Sequence, residues 1–256
     1  MVVDSNLQDS DSPSDHSTSD RVLIGVCTLN EVDNIETMVT RLRAAIPAAD
    51  ILVVDDRSTD GTSQKVATMV SQDDHVALVI RQDRGLGGAI RHAMQAAVDG
   101  GYDFFLNLDG DLSHDPDQLP SLLRRATTDP PVDVVIGSRY VEGGSITGWP
   151  LRRRMMSRMV NKFATLCLRL PVKDCSGSMR CYRVTALTRL GLETLRSNGY
   201  AVLEEILVRL NRNGATMAEV PITFTDRTMG ESKLTIREAV RSSGQMLAMA
   251  LKRETS

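Results

Sequence analysis

Asp109 and Asp111 stand two positions apart with only Gly110 between them, at the end of the apolar run FFLNLD. If that run is a strand, alternation sends positions i and i+2 to one side, so both carboxylates can face one cation. Hard oxygen ligands with open positions suit Mg²⁺ or Mn²⁺ bound together with a diphosphate. Asp and Gly are also common turn residues, and the pair alone reads as little more than a polar turn. A second run, ILVVDD, ends in Asp55 and Asp56, and RQDRGLGGAIRHA places glycines ahead of a helical pattern, where backbone N–H groups can meet phosphate. No GxGxxG follows the first apolar run and no GxxxxGK[ST] occurs anywhere in the chain, which argues against a dehydrogenase or a P-loop nucleotidase.

These residues need a scaffold that gathers them. From Arg21 onward, short β-branched runs alternate with helix-period segments: VLIGVC, ILVVDD, VALVI, FFLNLD and VDVVIGS predict strands. Near-continuous apolar runs suit a mostly parallel sheet covered on both faces, an α/β fold. In such open sheets ligands bind outside the carboxyl ends of the strands, so the strand-end carboxylates are expected to converge. Helical segments are expected from near Glu31, Asp60, Leu86 and Pro116, with Asp60 as a cap and Pro116 in a first turn. After Arg139 the pattern changes to a Gly-rich loop, a basic helical stretch LRRRMMSRMVNKFATLCLRL, and a loop holding DCSGSMRCY. A helix around 204–212, a strand EVPITF and a final helix from about Thr235 complete the expectation. Residues 1–20, rich in Ser and Asp, cannot repay the entropy of ordering and read as a disordered acidic tail; 21–256 reads as one catalytic domain.

Composition sets outer bounds. With 256 residues, 41% hydrophobic and 25% charged, the chain can bury a sizeable core, and a net charge of −3 argues against a general nucleic-acid binder. Any anion site must be local. Four cysteines form no CxxC pair and have no histidines at zinc-finger spacing, so reduced thiols in the cytoplasm are expected. No signal-peptide order opens the chain, and no apolar run approaches the roughly 20 residues that span a bilayer. His16, His75 and His92 are expected on surface or helix faces, and Met155, Met156 and Met159 are spaced for core packing, with an adaptable apolar groove for a lipid as the alternative.

The ordered motifs CTLNE, VVDDRSTDGT, RGLGGA, DGDLSH, GSRYVEGG, GW followed by arginines, DCSGSMRCY and EVPITFTDRTMGESKL together resemble glycosyltransferase family 2. The resemblance runs from about Val22 to Met246 and is to the polyprenol-phosphate (dolichol-phosphate) mannosyltransferase branch, in the form without transmembrane helices. It implies a GT-A-type, Rossmann-like fold with acceptor-side helices and loops from about residue 140 onward. It implies that Thr28, Asn30, Glu31, Asp56 and Asp109 line the nucleotide pocket and that Asp111 is the principal metal ligand, with Asp109 and Ser113 beside it. Ser113 stands where the family often has Gln, so water or His114 is expected to complete the shell; Cys27 replaces a proline and Leu29 a tyrosine. Arg139, Arg153, Ser157, Arg227 and Lys233 match the positions that hold the acceptor phosphate, with Asp111, Arg139 and Arg227 nearest the chemistry. Glu205 matches a carboxylate expected to orient sugar or acceptor. Arginine forks and a lysine point charge suit phosphate, whereas a lone charge run such as 152–154 is usually a solvated face.

The implied activity is inverting transfer of mannose from GDP-mannose to a polyprenyl phosphate, with Mg²⁺ or Mn²⁺; transfer of glucose or another sugar from a UDP-sugar is the alternative. A phosphate monoester is already anionic near neutrality, its second pKa being about 6, so no protein base is required. The implied partners are a nucleotide-diphosphate sugar, a polyprenyl phosphate, a membrane face contacted peripherally and a small membrane protein, as some soluble members use. The basic segment 152–170 and the segment from 235 are interfacial candidates, although amphipathic helices packed on a sheet are the commoner case.

Overall fold

The computed structural model describes residues 20–197, 199 and 201–226. The tail read as disordered, the helix expected from Thr235, and Arg227 and Lys233 lie outside the described residues.

The first half builds βα units as expected: β1 (Val22–Thr28), α1 (Ile35–Ala45), β2 (Asp50–Asp55), α2 (Thr62–Val70), β3 (Val76–Ile80), α3 (Leu86–Asp99), β4 (Phe104–Asp109), α4 (Leu119–Thr127) and β5 (Val134–Ser138). The second half carries β6 (Ser145–Thr147), α5 (Leu151–Cys167), β7 (Arg180–Arg183), α6 (Val184–Thr188), α7 (Val202–Arg212), β8 (Met217–Pro221) and β9 (Thr223–Thr225). Among the described residues, seven strands form one sheet in the order β3-β2-β1-β4-β7-β5-β8, and β6 pairs with β9 in a second, small one.

All pairings in the large sheet are parallel except those of β7, which runs antiparallel between β4 and β5. Alternation along β1 serves two cores. Leu23 and Cys27 face the cluster under α3, α6 and α7, whereas Val22, Ile24 and Val26 face the one under α1, α2 and α4. Helix α3 presents Ala89, Ile90, Ala93, Met94 and Ala97 at i, i+1, i+4, i+5 and i+8, one apolar face of a 3.6-residue period. Its small residues let it lie close to β1, where a Cβ on Gly25 would stand 2.8 Å from the Phe105 ring and 2.9 Å from Ala93.

Three local expectations change. The DCSGSMRCY loop ends in a strand, β7, because Cys181 and Tyr182 point to opposite cores while Arg180 closes the preceding turn. EVPITF is two strands rather than one: Ile222 is buried and its N–H turns to the Ser138 carbonyl, which carries the chain from the large sheet to the small one. Helix α1 starts at Ile35 rather than near Glu31, because the Glu31 and Val32 N–H groups are taken by Thr62 and Asp60. Asp60 does reach the start of α2, accepting from the Thr62 N–H at 2.9 Å. A 3₁₀ turn, Pro116–Gln118, precedes α4.

Candidate functional site

The carboxyl ends of β1, β2 and β4 lie side by side, with Thr28 in register with Asp55 and Cys27 with Asp109. Each strand leaves the sheet through a non-glycine residue at positive φ: Asn30 at 55°, Arg57 at 60° and Leu112 at 59°. Left-handed backbone at such residues costs free energy and persists where surrounding contacts over-determine it. Those contacts are present. Asn30 N–H donates to Ser58 and its side-chain oxygen accepts from Thr59 N–H, which ties the turn after β1 to the turn after β2. Asp55 accepts from Thr28 Oγ1 at 3.1 Å, Ser58 N–H at 2.9 Å and Ser63 Oγ at 2.6 Å. Its carboxylate is thus spent on building the two turns, and Asp56 is the one left at the crevice.

Asp56 is 5% exposed. It accepts from the Gly85 N–H at 2.7 Å and pairs with the Arg81 guanidinium. Arg81 lies over the start of α3, where a Cβ on Gly88 would fall 2.1 Å from Nη2. The glycines of RGLGGA therefore make room for an arginine that reaches Asp56.

In the turn after β4, Leu112 at positive φ brings the Ser113 N–H back onto Asp111 Oδ1 at 3.0 Å. A Cβ on Gly110 would meet Thr28 Cγ2 at 2.8 Å, so glycine is needed between the two aspartates for this turn to sit against β1. Asp109 accepts from Ser178 Oγ at 2.8 Å. Ser113 and His114 are both 2% exposed. Among the described residues no group of three or more His, Cys, Asp or Glu forms a cage for a metal ion. Asp109 closes β4 and Asp111 lies in the turn beyond it, so the turn and not strand alternation positions the second carboxylate. Carboxylates of this kind suit a hard cation completed by water and phosphate oxygens, the usual manner of Mg²⁺. Cys27 lies beneath; burial foremost, then the charges of Asp109 and Asp56, push its thiol up, making it a neutral packing group.

After β5 and on α5 the cations Arg139 and Arg153 are held by acids. Arg139 donates through Nε and Nη2 to both Asp174 oxygens, at 2.7 and 2.8 Å, and its backbone N–H also reaches Asp174. Asp174 is fully buried and the Arg139 side chain only 7% exposed. Burial alone would raise the Asp174 carboxyl and lower the Arg139 guanidinium, but the pair's attraction and hydrogen bonds more than offset it. Asp174 stays below its ordinary value and Arg139 above its own, so both are charged. The guanidinium also lies 5.2 Å from the Tyr140 ring and 5.5 Å from the Phe224 ring. Arg153 stacks 3.9 Å over Trp149 and meets Asp226 at 3.3 Å, while Trp149 Nε1 donates to the same carboxylate. Ser157 shares a hydrogen bond with the Tyr140 hydroxyl at 2.8 Å.

The structure brings most of the expected residues to one place. Thr28, Asn30, Glu31, Asp56, Asp109 and Asp111 belong to interlocked strand-end turns; Arg139, Arg153 and Ser157 share an aromatic cradle. Phe224 joins the two sides, with its ring 5.1 Å from His114 and 5.5 Å from Trp149 and its neighbour Thr225 donating N–H to the Ser113 carbonyl. Glu205 lies apart from this chain of contacts. It accepts from the Arg196 and Ser197 N–H groups and from Arg209, and although burial pushes it up, these bonds hold its carboxyl below the usual range. Neighbouring Glu204 is fully buried, and burial raises it to about 7.

Residues that the sequence did not single out do much of the holding: Asp174, Ser178, Arg180, Glu219, Asp226 and Asn161. Arg180 is 0% exposed and donates to the carbonyls of Cys175, Gly177 and Leu203. Glu219 accepts from the Lys173 and Asp174 N–H groups, and Asn161 from Cys175 N–H. For Asp174, Ser178 and Arg180 the signal was present as the polar density of DCSGSMR, whereas Asn161, Glu219 and Asp226 lie outside it and meet partners distant in sequence. One expectation is overturned: Met155, Met156 and Met159 are not core residues but 58, 55 and 71% exposed.

Strand-end carboxylates on one side and cradled arginines on the other are the arrangement expected of a glycosyltransferase. The chain belongs to glycosyl transferase family 2, whose model matches residues 23–191. It is 39% identical over 84% of its length, and 87% of the relative's, to an undecaprenyl-phosphate mannosyltransferase of Micrococcus luteus. It is 35% identical over 90% of its length, and 88% of the relative's, to a polyprenol monophosphomannose synthase of Mycolicibacterium smegmatis. Its fold matches glucosyl-3-phosphoglycerate synthase from Mycobacterium tuberculosis with a TM-score of 0.65 at 19% identity, covering 91% of this chain and 79% of that one. The expected α/β, GT-A-type sheet is therefore borne out. Among the described residues no helix is long and apolar enough to cross a membrane.

Proposed function

We propose that this chain transfers mannose from GDP-mannose to the phosphate of a polyprenyl phosphate, with inversion at the anomeric carbon. The observation that carries the proposal is the juxtaposition of an acidic strand-end turn, Asp109 to Asp111, with the Arg139 and Arg153 cradle through the ring of Phe224. Two anions, a donor diphosphate and an acceptor phosphate, find opposite treatment there. The names of the two relatives support mannose as the sugar and a polyprenyl phosphate as the acceptor.

Mg²⁺ or Mn²⁺ would be held by Asp109 and Asp111, with Ser113 or His114 beside them, and would supply neutralisation of charge on the leaving diphosphate. The turns of Thr28, Asn30 and Glu31 and the carboxylate of Asp56 hold the nucleotide. Arg139, Arg153 and Ser157, with Arg227 and Lys233, orient the acceptor phosphate. One of its oxygens forms the new bond to the anomeric carbon while the bond from that carbon to the nucleotide diphosphate breaks on the opposite face. The phosphate brings its own negative charge, so no side chain must remove a proton. Asp174 keeps Arg139 charged and aimed, and Glu205 acts at one remove by fixing the backbone of Arg196 and Ser197. Because the acceptor's lipid sits in a bilayer, the enzyme works peripherally at a cytoplasmic membrane face.

A donor screen with Mg²⁺ or Mn²⁺ and short polyprenyl phosphates, comparing the native chain with Asp111→Ala, tests the proposal. Mannose transfer from GDP-mannose that Asp111→Ala abolishes is expected. Turnover of a UDP-sugar alone would replace the donor, no turnover and no metal-dependent donor binding would sink the enzyme assignment, and a retained anomeric configuration would exclude single displacement.

A further inference from the structure

Helix α5 turns its apolar side away from the protein. Its first ten residues are exposed except Ser157, and only Asn161, Ala164 and Thr165 are buried. Met155, Met159 and Phe163 follow at intervals of four and Leu166 at three, which stacks them on one face. Phe163 and Leu166 are 65 and 75% exposed, and Leu151, Met156 and Val160 widen the strip. At 3.6 residues per turn this strip lies roughly opposite the buried Asn161, Ala164 and Thr165. Arg154, Arg158 and Lys162, again at intervals of four, form an exposed basic row along its edge, with Arg152 on the strip itself; α5 carries no acidic residue. A contiguous exposed apolar patch marks an interaction site, and here it is bordered by positive charge in a chain of net charge −3.

We infer that this outward face of α5 docks on a bilayer surface carrying anionic lipid headgroups, with the apolar strip in the headgroup–acyl boundary and the basic row on the headgroups. The chemistry matches on both counts: apolar area drives insertion, and headgroup charge attracts the row. A second copy fits less well, because a twofold contact through this strip would bring basic rows together with no α5 carboxylate to neutralise them. The inference rests on the acceptor assignment above and deepens it. Arg153 and Ser157 lie on the same helix, between the strip and the body, so docking sets the phosphate cradle at headgroup depth.

Sedimentation of the full chain with phosphatidylcholine vesicles, with and without phosphatidylglycerol and without acceptor lipid, tests it. Pelleting with the anionic vesicles that weakens with added salt is expected. Met159→Asp combined with Phe163→Asp should weaken it at least about tenfold, and Arg154→Glu combined with Arg158→Glu should remove the dependence on phosphatidylglycerol. Both pairs are exposed, so folding should survive, which circular dichroism would verify. No pelleting of the native chain, pelleting unchanged by M159D with F163D, or a dimer that this pair dissociates would overturn the inference. Transfer to a short, water-soluble polyprenyl phosphate in vesicle-free buffer is a separate readout. Its retention in M159D with F163D is expected, and its loss there would overturn the assignment by making these side chains part of the site. Its absence in the native chain, with vesicle binding intact, would sink the acceptor assignment and leave docking standing.

Discussion

The strand-end acids and the cradled arginines, to which we assign the donor and acceptor sides, are held in place by different means. On the donor side, acids at strand ends are held mostly by hydroxyls and backbone N–H groups, as Asp55 is by Thr28, Ser58 and Ser63 and Asp109 by Ser178, with Arg81 on Asp56 as the charged partner. On the acceptor side, arginines are held by acids and rings that arrive from far along the chain, as Arg139 is by Asp174 and Phe224. A carboxylate aimed at a cation needs only a rigid turn. A guanidinium aimed at a phosphate needs a counter-charge to stay buried, because an unpaired buried charge is costly. The donor side should therefore fail in chemistry when mutated, and the acceptor side in stability.

Asp111→Asn breaks that comparison if it is wrong. It keeps an acceptor for the Ser113 N–H but removes the charge, so transfer should fall by about 10²–10³-fold with the urea midpoint nearly unchanged. Asp174→Asn should do the reverse first, costing about 3–5 kcal/mol by leaving the Arg139 charge buried and unmatched. The pH dependence follows from the sign of the shift. The folded Asp174 lies below its ordinary 3.8, so its contribution is complete above that value and is lost as pH falls through the lower folded one. The stability gap between native chain and variant should shrink in acid.

Glu204 gives the opposite slope. Burial raises it to about 7 from 4.5, so the folded chain holds a proton that the unfolded chain releases, and the contribution falls as pH rises between those values. Glu204→Gln should gain on the native chain over that interval, by about 3 kcal/mol if the whole shift is expressed. Urea unfolding at pH 5 and pH 8 checks the sign. No relative gain at pH 8 would mean that the carboxyl is not held neutral by its surroundings.

The same contrast explains what the sequence made legible. The βα alternation and the strand-end acids rest on local pattern, period 2 against 3.6 and a turn after each run, and the large sheet was readable from it. The turn from Asp109 to Ser113 is also local, so its residues could be named in advance. Strand β7 was missed because RCYR is short and polar at both ends; it is a strand only because β4 and β5 leave a gap between them. Asp174 and Asp226 were missed for a related reason. Their partners, Arg139 and Arg153, are 35 and 73 residues away, and nothing in a one-dimensional pattern pairs them. The methionines of α5 misled because helix-period apolar spacing specifies a face, not the medium that covers it.

Gly110→Ala probes the donor side more gently. The added Cβ would stand 2.8 Å from Thr28 Cγ2, closer than packed carbons tolerate, so the turn must shift away from β1. Overpacking of this kind costs about 1–3 kcal/mol. The expected signature is a raised KM for the donor and a weakened metal dependence, with the acceptor KM unchanged. Equal effects on both substrates would mean that the two sides are not independently built.

The smallest effect is expected where exposure replaces burial. Met94 and Met159 are chemically identical, but Met94, on α3, is fully buried and Met159, on α5, is 71% exposed. Met94→Ala leaves a cavity and should cost about 2–5 kcal/mol of unfolding free energy. Met159→Ala removes nothing that the isolated fold packs against and should stay within about 0.5 kcal/mol of the native chain in buffer. Added anionic vesicles should reverse their order as probes: Met159→Ala should weaken vesicle binding, whereas Met94→Ala, at a temperature where it remains folded, should not. A large loss of stability for Met159→Ala in buffer would show the strip to be covered by protein in solution, and the acceptor side would then owe its exposed helix to another part of the chain rather than to lipid.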